Sequence, residues 1–324
     1  MRIPIVLFSV AATACFFSFS SCKKGNDDGG TPPAPPPKPD TLTTGWSKVT
    51  VPGGASFGDV FFNSNTTGYV VGSNIHKSTD GGNTWNIVSA TSGFANAFMT
   101  NDGKAFFAGP GKPIFKTIDG GINFINTTIG GSPHDLFFTD NNNGFCVADN
   151  GLYSTNDAGV SWQKITTTGF LAGYIYSSLY CINNTTGWIV TSGGVYRSVG
   201  SLANWQLATV AGGFGPVNYV SVYATSATNV YVATQSGEIF KSIDGGINFS
   251  RIIALPDASF TDLHFVSDQV GYACSGGHIY KTTNGGANWS TVVALDGNGI
   301  YEIHFTDATH GWATAGGSVL IFKQ

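Results

Sequence analysis

Asp262/His264 and Glu302/His304 repeat one pattern, a carboxylate and a histidine two residues apart, at an interval of 40 residues. On an extended strand residues i and i+2 point to one face, so each pair would present both groups together. Two such pairs on neighbouring elements suit a cation or small-ligand site, with His134 as a further candidate. They also meet the minimum for glycoside hydrolysis, two carboxyl groups at a suitable separation. Asp59 and Asp135 stand at matching positions in their own segments. A structural role competes with both. The carboxylates would then accept hydrogen bonds from turn N–H groups, and the histidines would pack where Phe61 and Phe137 stand in sister segments. Repetition favours the structural role.

A longer repeat positions these residues. The string STDGGNTW at 78–85 returns as TIDGGINF (117–124), TNDAGVSW (155–162), SVGSLANW (198–205), SIDGGINF (242–249) and TTNGGANW (282–289). The third positions, Asp80, Asp119, Asp157, Gly200, Asp244 and Asn284, lie 39, 38, 43, 44 and 40 residues apart. A period near 40 marks a solenoid or a propeller. Each string reads as a hairpin turn. Ser78 and Asp80 carry oxygens that can accept backbone N–H bonds, Gly82 permits positive φ, and Trp85 opens the next strand with a large apolar side chain. Upstream of every string lie three short apolar runs, such as DVFFNS (59–64), GYVVG (68–72) and IHKS (75–78). The unit is therefore four short antiparallel strands, one propeller blade.

A seventh unit begins at EIHFTD (302–307) and stops at LIFKQ (320–324) without a fourth strand. Gly45-Trp46-Ser47-Lys48-Val49 matches the missing piece. The expected fold is all-β: a seven-bladed propeller of four-stranded antiparallel blades, spanning 45–324, with its last blade closed by the N-terminal strand, which removes two exposed edges. Composition agrees, with 44 Gly, 13% aromatic and 10% charged residues. In this frame Asp59, Asp135, Asp262 and Glu302 precede the first strand of their blades, near the mouth of a central channel, as a partial acidic ring.

Residues 1–21 read as a targeting segment: Arg2, an apolar run from Ile3 to Phe19, then Ser20-Ser21-Cys22. Phe19-Ser20-Ser21-Cys22 resembles the lipidation site of bacterial lipoproteins, with Cys22 as the acylated residue and Cys15 as a rival. The charged stretch after Cys22 resembles the export signal of surface lipoproteins in Bacteroidetes-type bacteria. Residues 22–44 then form a lipid-anchored, proline-rich tether with polyproline II character. The expected location is extracytoplasmic, on a membrane through the lipid, at the outer membrane or the cell surface. Removing Arg2 from 15 Lys/Arg leaves 14 against 19 Asp/Glu, a net charge of −5 with no basic run, which argues against nucleic acid. Cys146, Cys181 and Cys274 sit inside apolar strands and read as buried thiols, with a Cys146–Cys181 bridge as the alternative. No CxxC or zinc-like spacing occurs, so neither metal nor cofactor is expected.

The string at 78–85 resembles the Asp box of BNR-repeat propellers, sialidases among them. The longer unit at 263–289, LHFVSDQVGYACSGGHIYKTTNGGANW, is most similar to the photosystem II assembly-factor-like propellers. That resemblance covers 46–324 and implies a non-enzymatic scaffold that binds partner proteins. Sialidase chemistry is excluded, because the carboxylate clamp of that family uses three arginines and the chain past residue 21 has only Arg197 and Arg251. The box residues Ser78, Asp80, Gly82, Trp85, Asp119, Asp157, Asp244 and Asn284 are assigned to turns, and no residue is assigned to catalysis. A binding scaffold for protein or glycan is the favoured function; a carbohydrate-active enzyme working through Asp262 and Glu302 is the alternative. A ligand surface is expected on the longest and most aromatic connections, 164–177 with Phe170, Tyr174 and Tyr176, and 207–219 with Phe214 and Tyr219.

Overall fold

The computed structural model describes residues 40–169, 175–211, 218–255, 258–297 and 299–324. The expected signal segment, Cys22 and most of the expected tether lie outside them, as do Phe170, Tyr174 and Phe214. Residues 37–324 form one compact unit. Its described residues make seven small sheets and no helix, a seven-bladed β-propeller.

The first blade shows the plan. Phe57–Phe62 lies innermost, followed by Gly68–Gly72, Ile75–Ser78 and Asn86–Ser89, each antiparallel to the last. Innermost strands of the other blades are Asn96–Met99, Pro133–Phe138, Tyr176–Cys181, Tyr219–Ala224, Phe260–Phe265 and Ile303–Asp307. Second strands such as GFCVA (144–148) and VYVAT (230–234) are buried at every residue, because a neighbouring blade covers each face. They therefore read as continuous apolar runs rather than alternating ones.

Closure occurs as the repeat predicted. Trp46–Thr50 pairs antiparallel with Ser318–Lys323, Trp46 opposite Phe322 and Thr50 opposite Ser318. Two additions were not legible in the repeat. Thr41–Leu42 pairs with the outer strand of the sixth blade, Thr41 opposite Ala294, so strand pairing reaches into the stretch expected as tether up to 44. Thr209–Val210 runs parallel to the outer strand of the fifth blade, Thr209 opposite Asn248. Both strips cover an outer edge that would otherwise offer unpaired backbone groups.

The core lies between blades. Among the described residues, buried apolar side chains fall into seven clusters, and each joins two consecutive blades. Phe62 stacks on Trp312 of the preceding blade at 3.7 Å and 5°. Phe138 on Phe106, Phe265 on Tyr231 and Phe305 on Tyr272 repeat that contact at 4.1, 3.8 and 4.2 Å. Such pairs add roughly 0.5–1.5 kcal/mol each beyond their area burial.

Candidate functional site

The boxes are hydrogen-bonded turns. Gly82 N donates to Ser78 Oγ at 2.8 Å, Ser78 Oγ donates to Asp80 Oδ1 at 2.9 Å, and Thr84 N and Oγ1 donate to the same carboxylate at 2.9 and 2.7 Å. The strings at 117, 155, 242 and 282 repeat the Ser/Thr-to-Asp/Asn and Gly-to-Ser/Thr bonds. Donors converging on Asp119, Asp157 and Asp244 hold all three carboxyls down at about 2. At Gly82 (φ +86°) a Cβ would also sit 3.1 Å from Trp312 Nε1 of the preceding blade, so conformation and packing both call for glycine. The fourth string departs. With Gly200 in place of aspartate, Ser198 Oγ instead accepts from Gly187 N and donates to Thr185 O, both at 2.9 Å.

The innermost strands build a second constellation. A register shift just before Asp59, Asp135, Ser178, Ser221 and Asp262 marks a bulge in five blades at the same position. A bulge re-aims the next side chain, and here the side chains that follow it line a central cavity of about 240 Å³. With Asn96 and Glu302 from the other two blades, these positions form a polar collar: three aspartates, a glutamate, an asparagine and two serines.

The carboxyls of this collar hold blades to one another. Asp59 Oδ2 accepts from Ala97 N of the second blade at 2.6 Å. Asp135 accepts from Asn96 Nδ2 at 2.7 Å on one side and Leu179 N at 2.8 Å on the other. Asp262 accepts from Ser221 Oγ at 2.7 Å and Ile303 N at 3.2 Å, and it shares a hydrogen bond with Glu302. The partners are strand amides and side chains of the neighbouring blades, not the turn amides expected from the sequence. Burial raises all four carboxyls, Asp59 to about 8, Asp135 to about 7, Asp262 upward and Glu302 well above the carboxylate range.

Two residues further along each strand stands an aromatic collar. Phe61, Phe98, Phe137, Tyr180, Tyr223, His264 and His304 follow one another with centroid separations of 4.7, 5.2, 5.0, 4.7, 4.6 and 5.3 Å, and 4.3 Å from His304 back to Phe61. Successive planes turn by 34° to 79°, around the one-seventh of a circle, about 51°, that seven equal blades impose. The histidines thus occupy the places of Phe61 and Phe137. His304 Nε2 lies 2.8 Å from the carbonyl oxygen of Phe62, and His264 donates to that of Phe305. Burial holds both neutral, His304 at about 4 and His264 well below its usual range. His134 is apart from the cavity and pairs with Asp149 instead. Sequence reasoning named four carboxyls and two histidines but missed Asn96, Ser178, Ser221, Phe98, Tyr180 and Tyr223. Reading the first strands as one aligned column finds all of them.

The expected ligand surface is altered where it is described. Tyr219 is 1% exposed and belongs to the core between the fourth and fifth blades. Tyr176 is half-buried against the cluster between the third and fourth. Parts of both connections serve as edge cover. Thr168 bridges to Asn204 in parallel and exchanges backbone bonds with Ala203 and Trp205 at 2.8 and 2.9 Å. Cys146, Cys181 and Cys274 are buried free thiols. Among the described residues no three His, Cys, Asp or Glu side chains are grouped to hold a metal ion.

Comparison with known proteins agrees with this architecture. Residues 38–170 match the sequence family described as photosynthesis system II assembly factor YCF48. YCF48 from Cyanidioschyzon merolae superposes with a TM-score of 0.72 at 18% identity, over 86% of this chain and 99% of that one. A structure of YCF48 bound to D1 peptide gives 0.70 at 19% identity, over 87% and 97%. The extracellular domain of a putative one component system, BT4673 from B. thetaiotaomicron, gives 0.73 at 12% identity, over 87% of this chain but 40% of that one. None of the curated proteins compared matches the sequence.

Proposed function

For a chain whose first three blades carry the YCF48 repeat, we propose a non-enzymatic binding scaffold that takes a segment of another protein. The observation that carries this reading is the commitment of the collar carboxyls to neighbouring blades. Asp262 and Glu302 share a hydrogen bond, closer than the separation of about 5 Å or more that two-carboxylate glycoside hydrolysis requires. The D1 peptide bound to a YCF48 propeller of like fold supports a peptide ligand. The partner contact is assigned to the connections of blades three to five, where Phe170, Tyr174 and Phe214 stand in the sequence. The propeller is displayed outside the cytoplasm from a lipid on Cys22.

Crosslinking of the full-length protein on intact cells tests the partner. A discrete adduct should form, and Phe170, Tyr174 and Phe214 changed together to Ala should remove it while leaving the melting temperature in place. Glycan-array binding or polysaccharide hydrolysis by the purified chain, with no protein adduct, would replace this reading by the carbohydrate one. Metabolic labelling with an alkyne fatty acid should mark the wild type and not Cys22→Ser; labelling that survives Cys22→Ser refutes the anchor.

A further inference from the structure

We infer that the central cavity is a socket for a slender organic cation, an alkylammonium or guanidinium group on an aliphatic stem. The inference concerns the channel alone and holds or fails independently of where a partner docks outside it. Three observations meet here. The cavity of about 240 Å³ is walled by the aromatic collar, and its lining includes no Lys or Arg. Four carboxyl groups ring one level of it. Asp262 and Asp135 have their acceptor sites filled, while Asp59, which accepts from Ala97 N and Val60 N, and Glu302, which bonds to Asp262, keep acceptor sites beyond those. Asn96, whose Nδ2 is engaged by Asp135, keeps a buried Oδ1 with no hydrogen-bond partner. A buried acceptor without a donor is costly, and an incoming N–H group would relieve that cost.

The two levels also fit the shape of such a ligand. Polar and aromatic positions are two residues apart on each inner strand, so the collars are separated by about 6.6 Å along the channel. A four-carbon stem spans roughly that length and ends in a compact charge with three donors. Its methylenes would lie within the ring of aromatic side chains while the head reaches Glu302, Asp59 and Asn96, which follow one another around the ring. A carboxylate or phosphate would meet four acidic groups, two neutral imidazoles and no Lys or Arg. An aliphatic group lacking a head would leave the polar level unanswered. Lysine or arginine side chains of a peptide and small free amines share the chemistry, and the test separates these sources.

The probes are acetylated tripeptides with a central lysine, arginine, norleucine or glutamate, and n-butylamine, titrated calorimetrically into the full chain. Lysine and arginine peptides should bind, norleucine should bind at least about tenfold more weakly, and glutamate should not bind. n-Butylamine should compete for the same site; if it binds as well as the lysine peptide the source is a free amine, and if at least about tenfold more weakly, a protein side chain. Asp59→Asn with Glu302→Gln should weaken the lysine peptide at least about tenfold. Norleucine equal to lysine, unchanged affinity in the double variant, or no binding by any cationic probe at millimolar concentration would each overturn the inference. The ligand-side substitution needs no variant, so it decides even if the double variant fails to fold.

Discussion

The aspartates of the boxes and those of the inner collar repeat at the same period yet are in opposite electrostatic states. Asp119, Asp157 and Asp244 lie at exposed turns, gather side-chain and backbone donors, and are held at about 2. Asp59 and Asp135 face a buried cavity with other acids nearby and are driven up to about 8 and 7. Desolvation and the supply of donors, not residue identity, set the charge. Periodicity therefore reports that a position is architectural, and only its surroundings report whether it also stores a proton.

The comparison can be broken most strongly at the collar. Asp262→Ala removes the acceptor for Ser221 Oγ and Ile303 N, leaving buried donors unanswered. A loss of roughly 2–4 kcal/mol is expected by denaturant titration; a loss below about 1 kcal/mol would show that the blades do not depend on the clamp. Asp80→Ala removes the box acceptor for Thr84 N and Oγ1 and Ser78 Oγ at an exposed turn. By analogy with helix caps it should cost about 1 kcal/mol.

The pH profile sharpens the same contrast. Asp59 and Asp135, raised from 3.8 to about 8 and about 7, contribute stability that is complete below pH 3.8 and is lost as pH rises through 7 to 8. The box aspartates, lowered from 3.8 to about 2, contribute stability that is present above 3.8 and lost as pH falls through 2. His304, lowered from 6.5 to about 4, adds a loss on the acid side between those values. The melting temperature should decline by a few degrees from pH 6 to pH 9, and Asp59→Asn with Asp135→Asn should flatten that decline. An identical slope in the double variant would place the titration elsewhere.

An effect no larger than that at Asp80 belongs to the degenerate box. Gly200→Asp restores the residue type found in sister boxes, but Gly200 has φ +74° and Ser198 is already engaged by Gly187 and Thr185. A net loss of about 1 kcal/mol is expected in thermal or denaturant melts. A gain would mean that the fourth turn can revert to the common geometry.

Blade number and closure were legible because STDGGNTW and its copies mark each hairpin, and Trp46 supplies the aromatic that the seventh unit lacks. Thr41–Leu42 and Thr209–Val210 were not, since two-residue edge strips carry no period. Tyr219 misled for a physical reason. It lies at the end of a long connection, but a bulge follows it and turns it into the core between blades. The collar was half legible. Charged members stand out in a sequence, whereas Asn96, Ser178 and Ser221 look like ordinary strand-entry residues until the ring brings them beside Asp135 and Asp262.

The seam at Trp46–Thr50 also sets how the molecule answers a mechanical load. A pull on the chain before Asp40 first meets Thr41–Leu42, two residues clipped to the sixth blade and backed by the Asp40–Lys48 ion pair at 2.8 Å. With two residue pairs, that clip is the shorter of the two attachments. Behind it, five residue pairs lock the first strand to the last, so traction reaching Trp46 is borne by the stretch that closes the ring.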